Sequence, residues 1–446
     1  MTKPSGEALI SHYRALQKPW QVTQQEAQYG KLVIPTGNSQ LPFHRWFHLK
    51  EAYSSRLLAQ LFTDADYCGG ERFSVFDPFS GSGTTALSAL DLATTTGASV
   101  YFAGIERNPF IWELSQAKLQ GRVYGWSLTP KFESALDEVA RHFRAPGAGK
   151  CEVPQQSTLQ NNEYFPKENV EDLIAIRSAI DSVVEGPIRT ILRAALASSV
   201  EACGRLRRDG RALRYEPSRR PRPAWEVFSE RAAIILQDLS ITEPTNSIAN
   251  ISLGDGRGRY TASEGGSEKY DWIVFSPPYP NNIDYTEVYK TEAWILGCYE
   301  SAEDMRAQRL LTVRSHPSVR FNRQYAFENS SNADAIERTI RPILQAVPED
   351  RYKAGRIELI RGYADDMLTT LESCRHVMAE NGKLAFVVGN SAHGAGEDSF
   401  VIAADILMGS LAELVGWRVA DLRVARHLKR RTGDLLRESV VILEPV

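Results

Sequence analysis

Three short segments carry residue types that could do chemistry together. The first is Asp77–Thr85, DPFSGSGTT. It places Gly81 and Gly83 in a turn after an apolar run, where the missing side chains let the backbone approach a ligand closely. Asp77 would sit at the strand's carboxyl end, where open α/β sheets bind ligands. No lysine follows the last glycine, so this is not a Walker A loop and triphosphate hydrolysis is disfavoured. Glu106 closes the next apolar run, where an acid is placed to take ribose hydroxyls, as in dinucleotide-binding folds. The third segment is Ser276–Tyr279, SPPY. Two consecutive prolines hold the chain extended and leave carbonyls with no competing N–H. With a hydroxyl before it and an aromatic ring after it, that corner suits gripping a flat base and its amino group. Taken singly, each feature has a structural explanation: a tight strand–helix turn, a surface acid beside Arg107, and a turn with a packed tyrosine.

The elements that must position these residues read as an α/β protein. FSVFDPFSGSGTTALSALDLA is a buried strand, a turn and a helix opening near Thr84, and SVYFAGIERNPFIWELSQAKL repeats the pattern with a strand over 100–105. From about 121 to 245 the pattern turns helical. Strands then return at Asn250–Leu253, which runs into Gly254-Asp255, and at DWIVFSPPY. YADDMLTTLESCRHVMAENG reads as a helix stopped at Asn381-Gly382. KLAFVVGNS, WRVADLRVAR and RESVVILEP follow as strands, with a helix over VIAADILMGSLAELVG. The expected organisation is an N-terminal extension (1–40), two halves of one sheet domain (41–120 and 246–446), and a mostly helical insert (121–245).

Composition narrows the class. The 446 residues are 43% hydrophobic and 24% charged, as in ordinary globular proteins. Five scattered cysteines form no CxxC pair, which argues against a zinc site or a disulfide scaffold, and no metal is expected. No apolar run approaches the roughly 20 residues that span a bilayer, and the N-terminus lacks a signal-peptide core, so the expected compartment is the cytoplasm. The net charge is only −3, yet eight arginines lie between Gly204 and Arg222, and a second basic run covers Arg423–Arg431. Such clusters can face phosphates or form a solvated loop.

DPFSGSGTT, an acid ending the next strand, Gly254-Asp255 and SPPY, in that order, resemble the prokaryotic DNA amino-methyltransferases, which methylate cytosine N4 or adenine N6. HRWFHLKEAYSSRLL is similar to that family's segment ahead of the cofactor loop, and NNIDYTEVYKTEAWILG and LRESVVIL fit its later core. The resemblance covers about 40–115 and 250–446. It implies a Rossmann-like, S-adenosylmethionine-dependent methyltransferase sheet. Asp77, Pro78, Phe79, Ser80, Gly81, Gly83 and Thr84 would surround the methionine part of the cofactor, Glu106 would take the ribose, and Asp255 the adenine amino group. Phe47 and Lys50 would contact the cofactor carboxylate. Ser276, Pro277, Pro278 and Tyr279 would form the catalytic corner, with Tyr279 stacked on a base rotated out of the duplex. In this family serine at the first motif position goes with cytosine N4, which makes that the expected target and adenine N6 the alternative, with an RNA base behind both. Carbon-5 methylation, which uses a Pro-Cys nucleophile, is disfavoured because no cysteine follows a proline. The implied partner is double-stranded DNA, with a cognate restriction endonuclease or other defence proteins. Arg207, Arg208, Arg219 and Arg220, together with Lys429 and Arg430 near the end, are the residues expected to meet its phosphates.

Overall fold

The computed structural model describes residues 6–67, 70–145, 153–209, 212–258, 260, 269–281, 283–321, 323–428 and 434–446. Among these, the strands in chain order are β1 (Val22–Gln24), β2 (Arg72–Asp77), β3 (Ser99–Glu106), β4 (Leu206–Arg208), β5 (Leu213–Tyr215), β6 (Ile248–Leu253), β7 (Tyr270–Phe275), β8 (Met378–Gly389), β9 (Ser391–His393), β10 (Phe400–Ile402), β11 (Trp417–His427) and β12 (Arg437–Pro445). Eight of them form one sheet in the order β1-β11-β12-β8-β7-β2-β3-β6. The five strands from β8 to β6 run parallel, and β12 is antiparallel to both its neighbours. The fold is therefore α/β with a mixed sheet, as the resemblance to S-adenosylmethionine-dependent methyltransferases implied.

The central strands are apolar on both faces because helices cover both. Along β7, Trp272 and Val274 enter one buried cluster, while Ile273 and Phe275 enter the other. This two-residue alternation is what a strand sandwiched between two cores requires. The helices Thr129–Phe143, Lys167–Val183, Gly186–Ser199 and Ala224–Ser240 lie between β3 and β6 in the chain. Their Phe132, Ile176, Leu192 and Phe228 belong to the same cluster as Val75 of β2 and Phe102 of β3. This helical segment thus shares its core with one face of the sheet. The second cluster joins Phe76, Ile273 and Phe275 to Ile360 and Met367 of the helix Lys353–Val377 and to Leu407 of the helix Ala404–Glu413.

Two sequence expectations are corrected. The segment expected as an N-terminal extension is, over its described residues 6–40, built into the sheet domain: β1 pairs in parallel with β11, and Tyr13, Trp20 and Tyr29 are buried. The helix Gly6–Gln17 buries Leu9 and Tyr13, while beyond it Trp20 and Tyr29 anchor the segment singly, with no periodic run to mark them. The helix expected to end at Asn381-Gly382 ends at Val377, and β8 already starts at Met378. The pairing of β7 with β8 is irregular there, jumping from Tyr270↔Met378 to Trp272↔Lys383. Gly382 serves that irregularity, since a Cβ on it would come within 2.3 Å of the Met378 sulfur.

Candidate active site

The sheet brings its chemistry to one end. Asp77 ends β2, Glu106 ends β3, Gly254-Asp255 follow β6, and Ser276 follows β7. β2 and β7 are neighbours, with Phe76 opposite Ile273. From β2 the chain proceeds to β3 on one side, and from β7 to β8 on the other. That reversal leaves a crevice at the carboxyl ends of β2 and β7, the place where open α/β sheets take their ligands.

The turn after β2 is fixed by its own hydrogen bonds. The Asp77 carboxylate accepts from the Phe79 N–H (2.9 Å) and from the Thr85 hydroxyl, which also meets the Tyr53 hydroxyl. Ser80 Oγ donates to the Asp77 carbonyl at 2.9 Å, and the Ser80 N–H to the Ile105 carbonyl at 2.9 Å. Gly81 and Gly83 have φ of +52° and +85°, the left-handed region that other residues enter at a cost. Gly83 then opens the helix Thr84–Thr96. Glu106 ties the second strand to this turn: its two oxygens accept from the Gly81 N–H (2.9 Å) and the Asn108 N–H (2.7 Å). Burial pushes both carboxyls up, Asp77 to about 7 with Glu106's charge adding to the effect, and Glu106 to about 7.

The other wall is the SPPY corner. The Tyr279 hydroxyl donates to Glu438 Oε1 (2.7 Å) at the start of β12, and Ser276 Oγ lies 3.4 Å from that hydroxyl. Glu438 Oε2 in turn accepts from Arg426 Nε at 2.5 Å. Behind the tyrosine ring stands Gly389 of β8, where a Cβ would come within 2.8 Å of the ring. The ring is thus clamped at its tip and along one side.

These walls enclose a cavity of about 390 Å³. It is lined by Lys50, Asp77, Pro78, Phe79, Ser80, Gly81, Thr84, Glu106 and Asp255 from the expected cofactor set, and by Ser276, Pro277, Pro278 and Tyr279. Sequence reasoning missed Glu51, Arg107, Asn281, Tyr285, Thr286, Tyr289, His316 and Glu438, which also line it, and Arg426, noted in the sequence only as part of a basic run that could face phosphates, lines it too. The available signal was charge inside apolar context: Glu51 beside Lys50, and Glu438 opening the apolar run SVVIL. Asp255 arrives already engaged, because Arg257 donates to both its oxygens, at 2.9 and 2.7 Å. The same guanidinium reaches Asp366 (3.2 Å) and the Leu311 and Thr312 carbonyls, pinning the segment that carries the cavity-lining Val313, Ser315 and His316.

Some expected site residues lie elsewhere. Phe47 is buried behind the wall against Phe110 and Tyr289, with ring centroids at 5.6 and 5.9 Å, and does not line the cavity. Gly83 faces Ser115 and Ile251. Arg208, expected at DNA phosphates, points inward. Its guanidinium lies 5.0 Å over the Phe47 ring and 5.3 Å over Tyr289, and pairs with Glu292 and with Glu201 (2.6 Å). A cation neutralised twice in the interior has no charge to offer a phosphate. Arg219 is half-buried, reaching the Leu206 carbonyl at 3.2 Å and Glu201 at 3.5 Å. Arg207 and Arg220 are exposed, Arg207 with Glu216 at 3.4 Å. Lys429 and Arg430 lie outside the described residues. Among the described residues no group of His, Cys, Asp and Glu could hold a metal ion. No described helix is long and apolar enough to cross a membrane.

No family model matches the chain. It is 25% identical to the Type II methyltransferase M.AvaI of Nostoc sp. over 88% of its own length and 83% of the relative's, and equally so to M.AvaI of Anabaena variabilis. It is 24% identical to the Type II methyltransferase M.BsoBI of Geobacillus stearothermophilus, over 93% of this chain and 88% of that one. Along most of its length, what this chain is similar to is a set of Type II methyltransferases.

Proposed function

We propose that this protein is a site-specific DNA methyltransferase that carries a methyl group from S-adenosylmethionine to the exocyclic N4 of cytosine, within restriction–modification or a related defence system. The observation that carries this reading is the convergence of DPFSGSGTT and SPPY, from two neighbouring strands at the sheet's reversal point, on one cavity. The similarity to Type II methyltransferases, which generally use S-adenosylmethionine, supports the same conclusion.

The residues present fit that cofactor. The cavity volume falls in the range of small-molecule sites. Three of its lining groups, Glu51 Oε1, Arg107 Nε and Thr286 Oγ1, are buried without a hydrogen-bond partner. Buried polar atoms in that state await a ligand or water. When bound, the cofactor supplies an electrophilic methyl group on a sulfonium. Asp77 and the Gly81 turn would hold its methionine part, Glu106 its ribose hydroxyls, and Asp255 its adenine amino group. At the other wall, Ser276 Oγ and the Pro277 carbonyl would accept the hydrogens of the target amine. Its lone pair is otherwise delocalised into the base, and acceptors so placed free it for in-line attack. Tyr279, clamped by Glu438, would stack on the rotated base. In the amino-methyltransferase family that this sequence resembles, serine at the position of Ser276 goes with cytosine N4, which is why N4 is proposed over adenine N6.

The test is transfer of isotope-labelled methyl from S-adenosylmethionine to duplex DNA by the full chain and by Ser276→Ala. The expected result is labelled DNA with the intact protein, and transfer lowered roughly 100-fold or more in the variant with cofactor affinity kept. Equal labelling by both proteins would overturn the role of the corner.

A further inference from the structure

Glu51 is the acidic residue that the site geometry leaves unexplained. It follows Lys50 in HLKEAY, and both residues line the cavity. One of its carboxyl oxygens, Oε2, accepts from the Tyr289 hydroxyl. The other, Oε1, is buried and has no partner. The support behind it is rigid: Tyr289 packs on Phe47 and lies under the Arg208 guanidinium. Lys50 Nζ donates to the Arg208 carbonyl, so the same strand residue braces both neighbours. Tyr285, close to both Glu51 and Glu438, lines the wall between Glu51 and the SPPY corner. Burial pushes the Glu51 carboxyl up, and the Tyr289 hydrogen bond and the nearby Arg208 and Lys50 charges offset that only in part.

A buried carboxylate with one free oxygen is satisfied best by a donor that also brings positive charge. A neutral aromatic amine supplies a hydrogen bond alone, whereas an ammonium supplies both. Lys50 and Glu51 present a cation and an anion side by side in one cavity, which matches the two charges of an α-amino-acid head. We propose that Glu51 binds the α-ammonium group of the cofactor's amino-acid portion through Oε1, with Tyr289 orienting the carboxyl. This rests on the cavity being an S-adenosylmethionine site, as argued above.

Calorimetric titration of the full chain with two ligands tests it. S-adenosylhomocysteine carries the amino-acid head, and 5′-methylthioadenosine lacks it. The expected result is that Glu51→Gln weakens S-adenosylhomocysteine roughly 10- to 100-fold and leaves 5′-methylthioadenosine unchanged. Tyr289→Phe, which removes the orienting donor, is expected to weaken only S-adenosylhomocysteine, by roughly 3- to 10-fold. Unchanged affinity of Glu51→Gln for S-adenosylhomocysteine overturns the proposal, and if methyl transfer to DNA is then lost, Glu51 serves the target base instead. Equal weakening of both ligands also overturns it, since Glu51 would then shape the whole cavity. Binding of neither ligand by the unmodified chain would instead remove the cofactor reading on which the proposal stands.

Discussion

Tyr279 and Glu438 stand 159 residues apart in the chain and meet in one hydrogen bond at the cavity wall. If that bond holds the ring in register for a base, removing the acceptor must cost turnover more than it costs cofactor binding. Glu438→Ala is expected to lower kcat/KM for DNA by roughly 10- to 100-fold, or about 1.4–2.7 kcal/mol, while cofactor affinity stays put. Tyr279→Phe keeps the ring and is expected to lose less than tenfold, and Tyr279→Ala far more. Steady-state kinetics on a fixed duplex, beside cofactor titration, separate the two effects. The paired carboxyls add a pH dependence of definite sign. Asp77 and Glu106 move from ordinary values of 3.8 and 4.5 to about 7 in the folded protein. A raised carboxyl favours the folded state only while protonated, so the free protein loses this contribution as pH rises from the ordinary carboxylate range through about 7. Ionised carboxylates are what a cationic cofactor prefers, so its affinity must rise over the same window, by up to ~10-fold per pH unit below 7 for each proton released. Titration with S-adenosylmethionine at pH 6 and pH 8 checks this, and a flat affinity would contradict it.

At the scale of elements, the hairpin β4–β5 separates two kinds of arginine that look alike in sequence. Arg208 faces inward, and burial pushes its partner Glu292 up while Arg208's charge pulls against it. Arg208→Ala strands a buried carboxylate and is expected to destabilise the protein by about 3–5 kcal/mol, which thermal unfolding would register. Arg207→Ala, on the solvent side of the same strand, is expected to stay within about 0.5 kcal/mol. The outward pair carries a different prediction. If Arg207 and Arg220 each neutralise one phosphate, replacing both with Ala should reduce the slope of log K against log salt by about 1.8. An unchanged slope would show that neither arginine meets a DNA phosphate. The contrast explains which parts of the site were legible in the sequence. Asp77, Glu106, Asp255 and Ser276 each close or follow an apolar run that declares itself a strand, and strand ends are where such a sheet binds ligands. Whether an arginine in a charged run faces in or out depends on Glu292, 84 residues away, and no local pattern records that distance. Glu51 and Glu438 escaped for the same reason, because their roles arise only when Tyr289 and Tyr279 fold against them.

At the scale of the whole molecule, the proposed function asks one cavity at the reversal of the sheet to serve both a cofactor and a base. The helical segment between β3 and β6 shares the sheet's core and fastens its hairpin to the cavity wall through Arg208 and Lys50. The β12 strand closes the opposite wall with Glu438. The measurement that tests this most directly is mass spectrometry of nucleosides from duplex DNA incubated with the protein and isotope-labelled S-adenosylmethionine. The expected result is label in N4-methylcytosine, lost with Ser276→Ala. Label in N6-methyladenine alone would contradict the target base, and no labelled nucleoside from varied DNA would contradict methyl transfer to DNA itself.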